Sequence, residues 1–105
     1  MSRPVNTCVL GAGLSALTFQ IPFILALPEL FNLHSVLERN PLTPGGKVYE
    51  RFGVQVTVYR SLDKVLADPA IELIVIGTPG ETHYLFAKAS LEAGKHGANL
   101  YLMYH

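Results

Sequence analysis

A chain of 105 residues has room for one domain, and a composition half hydrophobic and only 15% charged argues against disorder and suits a sheet covered by helices. Eight basic and eight acidic residues cancel, so the clustered cationic face that nucleic-acid binding needs is not expected. The single cysteine, Cys8, has no internal partner and lies in the first apolar run, which reads as a small buried hydrophobe in a reducing, cytoplasmic compartment.

Val5 to Ala16 reads VNTCVLGAGLSA: a short apolar run, a glycine turn and the beginning of a helical pattern. The spacing is that of G-x-G-x-x-G/A. Gly11 permits the sharp turn, Gly13 lets a backbone approach a pyrophosphate, and Ala16 keeps the helix close to the strand. The amides of Gly13, Leu14 and Ser15 would point toward an anion at the helix start.

No lysine or arginine falls between Arg3 and Arg39, yet Gly11, Gly13, Gln20, Pro22, Pro28 and Glu29 interrupt the stretch. No clean apolar run approaches the ~20 residues of a membrane span, so a membrane is not an expected partner. Leu14 to Leu27 predicts a helix that kinks or restarts at Pro22, because proline cannot donate the next backbone bond. Phe31 to Leu37, FNLHSVL, predicts a second strand despite imperfect alternation, and Glu38 and Arg39 follow it. His34 within that strand has no histidine or cysteine at metal spacing, so no metal site is expected.

Asn40 to Gly46, NPLTPGG, is turn chemistry, and Lys47 to Phe52 predicts a short helix. Val54 to Tyr59 alternates as a third strand. Ser61 is a candidate N-cap for a helix whose Leu62, Val65 and Leu66 form one stripe before Asp68-Pro69 stops it. Ile71 to Ile76, IELIVI, reads as a central parallel strand buried on both faces. Glu81 to Ala93 predicts a helix capped by Gly94, with Lys88 and Glu92 on one stripe and His83, Phe86, Ala87 and Ser90 opposite.

Alternation of strands and helices in this order predicts an α/β fold: a Rossmann-like doubly wound parallel sheet of three αβα layers, incomplete at about four or five strands. Glu38 arrives about 25 residues after Gly13, slightly beyond the ~20 of the dinucleotide fingerprint, a difference the proline-broken first helix explains. On the residues alone, Glu38 could equally be a solvated acid before a turn.

These stretches together resemble the N-terminal domain of the glucose-fructose oxidoreductase, inositol dehydrogenase and rhizopine-catabolism (Gfo/Idh/MocA) family. The matching pieces are VLGAGLSA, IPFILALPE, VLERNP, VYRSLDKVLADPAIELIVIGTPGETH and LEAGKH, which cover nearly all of residues 5 to 96. The resemblance implies NAD or NADP as cofactor and a sugar- or polyol-like substrate. It implies that Gly11, Gly13, Leu14 and Ser15 meet the pyrophosphate and that Glu38 accepts from the adenosine ribose. Glu38 favours NAD, since a carboxylate repels a 2′-phosphate, while Arg39 beside it can stack on adenine or pair with a phosphate. Thr78, Pro79 and His83 match the family's turn on the nicotinamide side, with Gly80 standing where a polar residue is common.

After His96 the family continues with a buried strand and an E-K-P type motif whose lysine helps position substrate. Here GANLYLMYH follows, and no lysine occurs after Lys95. The expectation is therefore one dinucleotide-binding domain over residues 1–105, with 97–105 as a divergent tail in which Leu100 to Tyr104 could form a fifth strand, a point the sequence leaves open. No second, substrate-binding domain and no catalytic residue are expected within it. A non-catalytic regulator sensing dinucleotide or binding a protein, and an inert fragment, are the alternatives. A protein partner or homo-oligomer stays open, with no residue pattern supporting one.

Overall fold

The computed structural model describes residues 3–13, 16–76, 88–89, 92 and 101–102. Among the described residues five strands form one parallel sheet in the order β3-β2-β1-β4-β5. β1 is Val5–Leu10, β2 Phe31–Leu37, β3 Thr57–Tyr59, β4 Leu73–Ile76 and β5 Tyr101–Leu102. The chain runs from β1 outward to β2 and β3, then returns to the other side of β1 for β4. That reversal places β1 at the centre, and its last four residues are all buried.

The two faces of the sheet are separately covered. On one, Val9, Val36 and Val75 pack with Ala16, Leu17, Ile21, Ile24 and Val48. These last five belong to a π-helical turn at Ala16–Gln20, helix α1 at Ile21–Leu25 and helix α2 at Gly46–Phe52. On the other face Cys8, Leu10, Leu37, Ile74 and Ile76 pack with Val65 of helix α3, Leu62–Ala67. Helices on both faces of a parallel sheet make the three-layer α/β architecture expected from the sequence, and Cys8 is fully buried as expected.

Pro22 has the effect anticipated for it. It occupies the first turn of α1, where a missing N–H costs nothing, and the wide π-turn sits just before it. The helix thus restarts at proline rather than breaking.

The imperfect alternation of β2 also has a cause. Thr7 pairs with Leu33 but Cys8 pairs with Ser35, so the register skips His34. This bulge reverses the parity of the strand, which lets Leu33 and Val36 share one core while Leu37 enters the other. His34 itself is half-buried with Nδ1 3.1 Å from Ser35 Oγ.

Three expectations need correction. The third strand is Thr57–Tyr59 rather than Val54 to Tyr59, because β2 offers only Ser35, Val36 and Leu37 as partners to it. The fourth begins at Leu73 rather than Ile71; the Ile71 amide is already engaged by the Asp68 carbonyl in the turn that closes α3. Ser61 has the extended backbone of an N-cap, φ −141° and ψ 150°, but its hydroxyl makes no capping bond. The fifth strand that the sequence left open is seen at Tyr101–Leu102, with Val75 opposite Tyr101 and Ile76 opposite Leu102; the rest of the 100–104 stretch lies outside the described residues. Of the expected helix over 81–93, Lys88, Ala89 and Glu92 are described and helical, with Lys88 and Glu92 exposed as their stripe requires. The rest of that helix lies outside the described residues.

Candidate functional site

In a parallel sheet the ligand crevice opens beyond the carboxyl ends of the strands, where the strand order reverses. Here that point lies between β1 and β4, and the residues following β1, β2 and β3 gather along the same edge. β1 delivers Gly11 and Gly13, β2 delivers Glu38 and Arg39, and β3 delivers Arg60.

Gly11 has φ 108°, a conformation that side chains rarely adopt, and its amide donates to the Leu37 carbonyl at 3.0 Å. This bond ties the glycine turn to the end of β2, one residue before Glu38. Gly13 differs. Its φ is not left-handed, it is exposed, and a Cβ built on it would meet no atom within 4 Å. Among the described residues, packing therefore makes no demand for glycine at this position. The free volume above it suits a group approaching from outside.

Glu38 is only 7% exposed. Its amide donates to the Tyr59 carbonyl at 2.9 Å, which fixes the backbone against the end of β3. Its Oε1 accepts from the Lys47 amide at 3.0 Å, at the start of α2, while Oε2 is buried without a hydrogen-bond partner. The reading of Glu38 as a solvated acid is thereby excluded. A buried carboxylate oxygen lacking a donor is costly, and a ligand hydroxyl is the kind of group that satisfies it.

Arg39 is exposed, and its carbonyl accepts from Arg60 Nε at 3.0 Å, which ties together the residues that follow β2 and β3. The Tyr59 hydroxyl donates to Asp68 Oδ2, and Asp68 Oδ1 accepts from the Ala70 amide at 2.9 Å. The Asp68 acceptor, aided by burial, pushes the Tyr59 phenol up to about 12. Across the crevice Gln20 Nε2 donates to the Ile76 carbonyl at 3.2 Å and joins the first helical segment to the end of β4.

Leu14, Ser15, Thr78, Pro79 and His83 lie outside the described residues. Sequence reasoning missed Arg60, Gly46 and the Lys47 amide. For Gly46 a signal existed in the paired glycines of NPLTPGG, but only the tertiary contact shows that Glu38 is its neighbour. A cleft of about 570 Å³ opens elsewhere, lined by residues including Asn32, His34, Gln55 and Thr57. It holds neither the glycine turn nor Glu38, so it is not the candidate. Among the described residues no His, Cys, Asp and Glu side chains cluster as metal ligands.

Residues 5–97 match the family described as oxidoreductase family, NAD-binding Rossmann fold (GFO_IDH_MocA). The chain belongs to this family. Within it, an uncharacterized oxidoreductase of Schizosaccharomyces pombe is 43% identical over 93 residues, covering 89% of this chain and 25% of that protein. The Bacillus subtilis scyllo-inositol 2-dehydrogenase (NADP(+)) IolW is 32% identical over 97 residues, covering 90% of this chain and 25% of its own length. An oxidoreductase-type structure from Bacteroides fragilis superposes with a TM-score of 0.77 at 36% identity, over 90% of this chain and 27% of the other. The chain thus spans about a quarter of the length of the curated relatives it matches, and that quarter is the NAD-binding domain. Among the described residues no helix is long and apolar enough to cross a membrane.

Proposed function

We propose that the carboxyl edge of this sheet binds NAD or NADP in the following arrangement. Gly11, Gly13, Leu14 and Ser15 carry the pyrophosphate, and Glu38 accepts from the adenosine ribose. Arg39 lies beside the adenine or a ribose phosphate, and Thr78, Pro79 and His83 border the nicotinamide half. One observation supports this above the others: the free volume over Gly13 and the unpartnered Glu38 Oε2 lie at the ends of adjacent strands, joined by the Gly11 to Leu37 bond.

When bound, the dinucleotide supplies hydride chemistry. The residues of this chain bind and orient it: backbone amides face the anion, and Glu38 takes hydroxyl donors. For the oxidoreductase as a whole we propose a sugar- or polyol-like substrate, in line with the scyllo-inositol named for its Bacillus relative. We assign these 105 residues to binding the cofactor and none of them to turning substrate over. A cytoplasmic site of action fits the lone buried cysteine.

The test is calorimetric titration of the folded chain with NADH and NADPH beside Gly13→Val. The variant places a side chain in open volume at an ordinary φ, so it folds while filling the phosphate approach. Binding by the wild type that falls at least about tenfold in the variant is the expected outcome. Equal binding by both proteins would remove the glycine turn from the site, and turnover of a polyol by the chain alone would overturn the non-catalytic reading.

A further inference from the structure

Gly46 carries a constraint that its position in a turn does not explain. Its φ is +69°, which alone favours glycine, and its amide closes a turn onto the Thr43 carbonyl at 3.0 Å. A Cβ at Gly46 would also stand 2.5 Å from Glu38 Oε1 and 3.3 Å from Val58 Cγ2. Real Cβ atoms do not approach oxygen so closely, so the carboxylate would have to move. Gly53 supplies the contrast: it has nearly the same φ, +71°, but a Cβ there meets nothing within 4 Å. Two glycines share one backbone demand, and only one of them touches Glu38.

The carboxylate has little freedom. The Lys47 amide holds Oε1 at 3.0 Å, the Glu38 backbone is bound to Tyr59, and the side chain is buried. Displacing Oε1 therefore breaks its bond to Lys47 and turns Oε2 with it, since the two oxygens share one plane.

From these contacts we propose that Gly46 is a positioning residue for the cofactor's adenosine ribose. By lacking a side chain it lets the start of α2 grip one Glu38 oxygen and hold the other at the orientation the ribose hydroxyls meet. Gly46 touches no ligand and acts through Glu38. The inference rests on the dinucleotide reading above and adds to it the device that aims the acid.

The experiment compares Gly46→Ala and Gly53→Ala in the full chain, each with and without Glu38→Gln, by calorimetric titration with NADH and NADPH and by thermal unfolding. Both alanines suffer the same left-handed strain and are expected to lose thermal stability, Gly46→Ala the more because it also displaces a buried, hydrogen-bonded carboxylate. Only Gly46→Ala is expected to weaken the preferred nucleotide, on the order of tenfold, with Gly53→Ala within about twofold of wild type. In the Glu38→Gln background Gly46→Ala is expected to add no further loss, because the group it aims is already altered. Should Gly46→Ala fail to fold, Gly46→Asn repeats the comparison, since asparagine tolerates the left-handed region while its Cβ still meets Oε1. Wild-type affinity in the Gly46 variant, or an equal loss in both backgrounds, overturns the positioning role and leaves the dinucleotide reading standing. Absence of binding by the folded wild type defeats that reading and this inference together.

Discussion

Glu38 shows how much a single residue's meaning depends on its neighbours. In the sequence it is an acid before a proline turn, ordinary for a solvated side chain. In the structure it is buried, with one oxygen on the Lys47 amide and the other unpartnered. Tyr59, one strand away, allows a sharper prediction at this scale. Its hydroxyl donates to Asp68, and its pKa rises from 10.0 to about 12, so the fold prefers the protonated phenol. The stability this pair contributes is complete below about pH 10 and is lost as pH climbs from about 10 to 12. Tyr59→Phe should cost about 0.5–1.5 kcal/mol at neutral pH, and its difference from wild type should shrink across that alkaline window. Urea titrations at pH 7, 10 and 12 check this, and a difference that grows with pH would contradict the assigned hydrogen bond.

Among elements, the start of α3 behaves differently from what its sequence advertises, while β4 is the buried central strand that its sequence predicts. Ser61 looks like a helix cap, and replacing such a cap by alanine ordinarily costs ~1 kcal/mol. Since its hydroxyl makes no capping bond, Ser61→Ala should change stability by no more than about 0.3 kcal/mol. Ile74 in β4 is fully buried within the core beneath α3. Ile74→Ala should therefore cost about 2–5 kcal/mol, a large part of a small domain's stability. Denaturant midpoints of the two variants, measured side by side, test whether packing rather than capping holds this layer. The β2 bulge belongs to the same scale: skipping His34 brings Leu37 into the core shared with Ile74 and orients the strand end that presents Glu38.

For the molecule as a whole, the chain's return across β1 creates the crevice, because adjacent crossovers leave in opposite directions there. A ligand seated across it links β1, β2 and β4 and binds the folded state alone. At a hundredfold excess over its Kd, NADH or NADPH should stabilise the chain by about 2.7 kcal/mol and raise Tm by on the order of 10 °C. Gly13→Val should keep its own Tm and lose that rise. Differential scanning fluorimetry with both nucleotides would show it, and an unchanged wild-type Tm would argue against binding at the switch point.

The alternation of apolar runs, the punctuation by proline and glycine, and the glycine turn after the first strand determined the fold class and the order of elements, because local periodicity and turn chemistry are written in neighbouring residues. β2 was legible to the residue, and so was the restart at Pro22. The ends of β3 and β4 were not, since pairing with a particular stretch of another strand decides where a strand starts. Gly11 was legible as a turn, but the emptiness over Gly13, the burial of Glu38 and the contact of Gly46 with its carboxylate were decided only by tertiary structure. Gly46 lies eight positions beyond Glu38 with a proline-rich turn between them, and no spacing rule states that such a loop folds back to place glycine against the acid's oxygen.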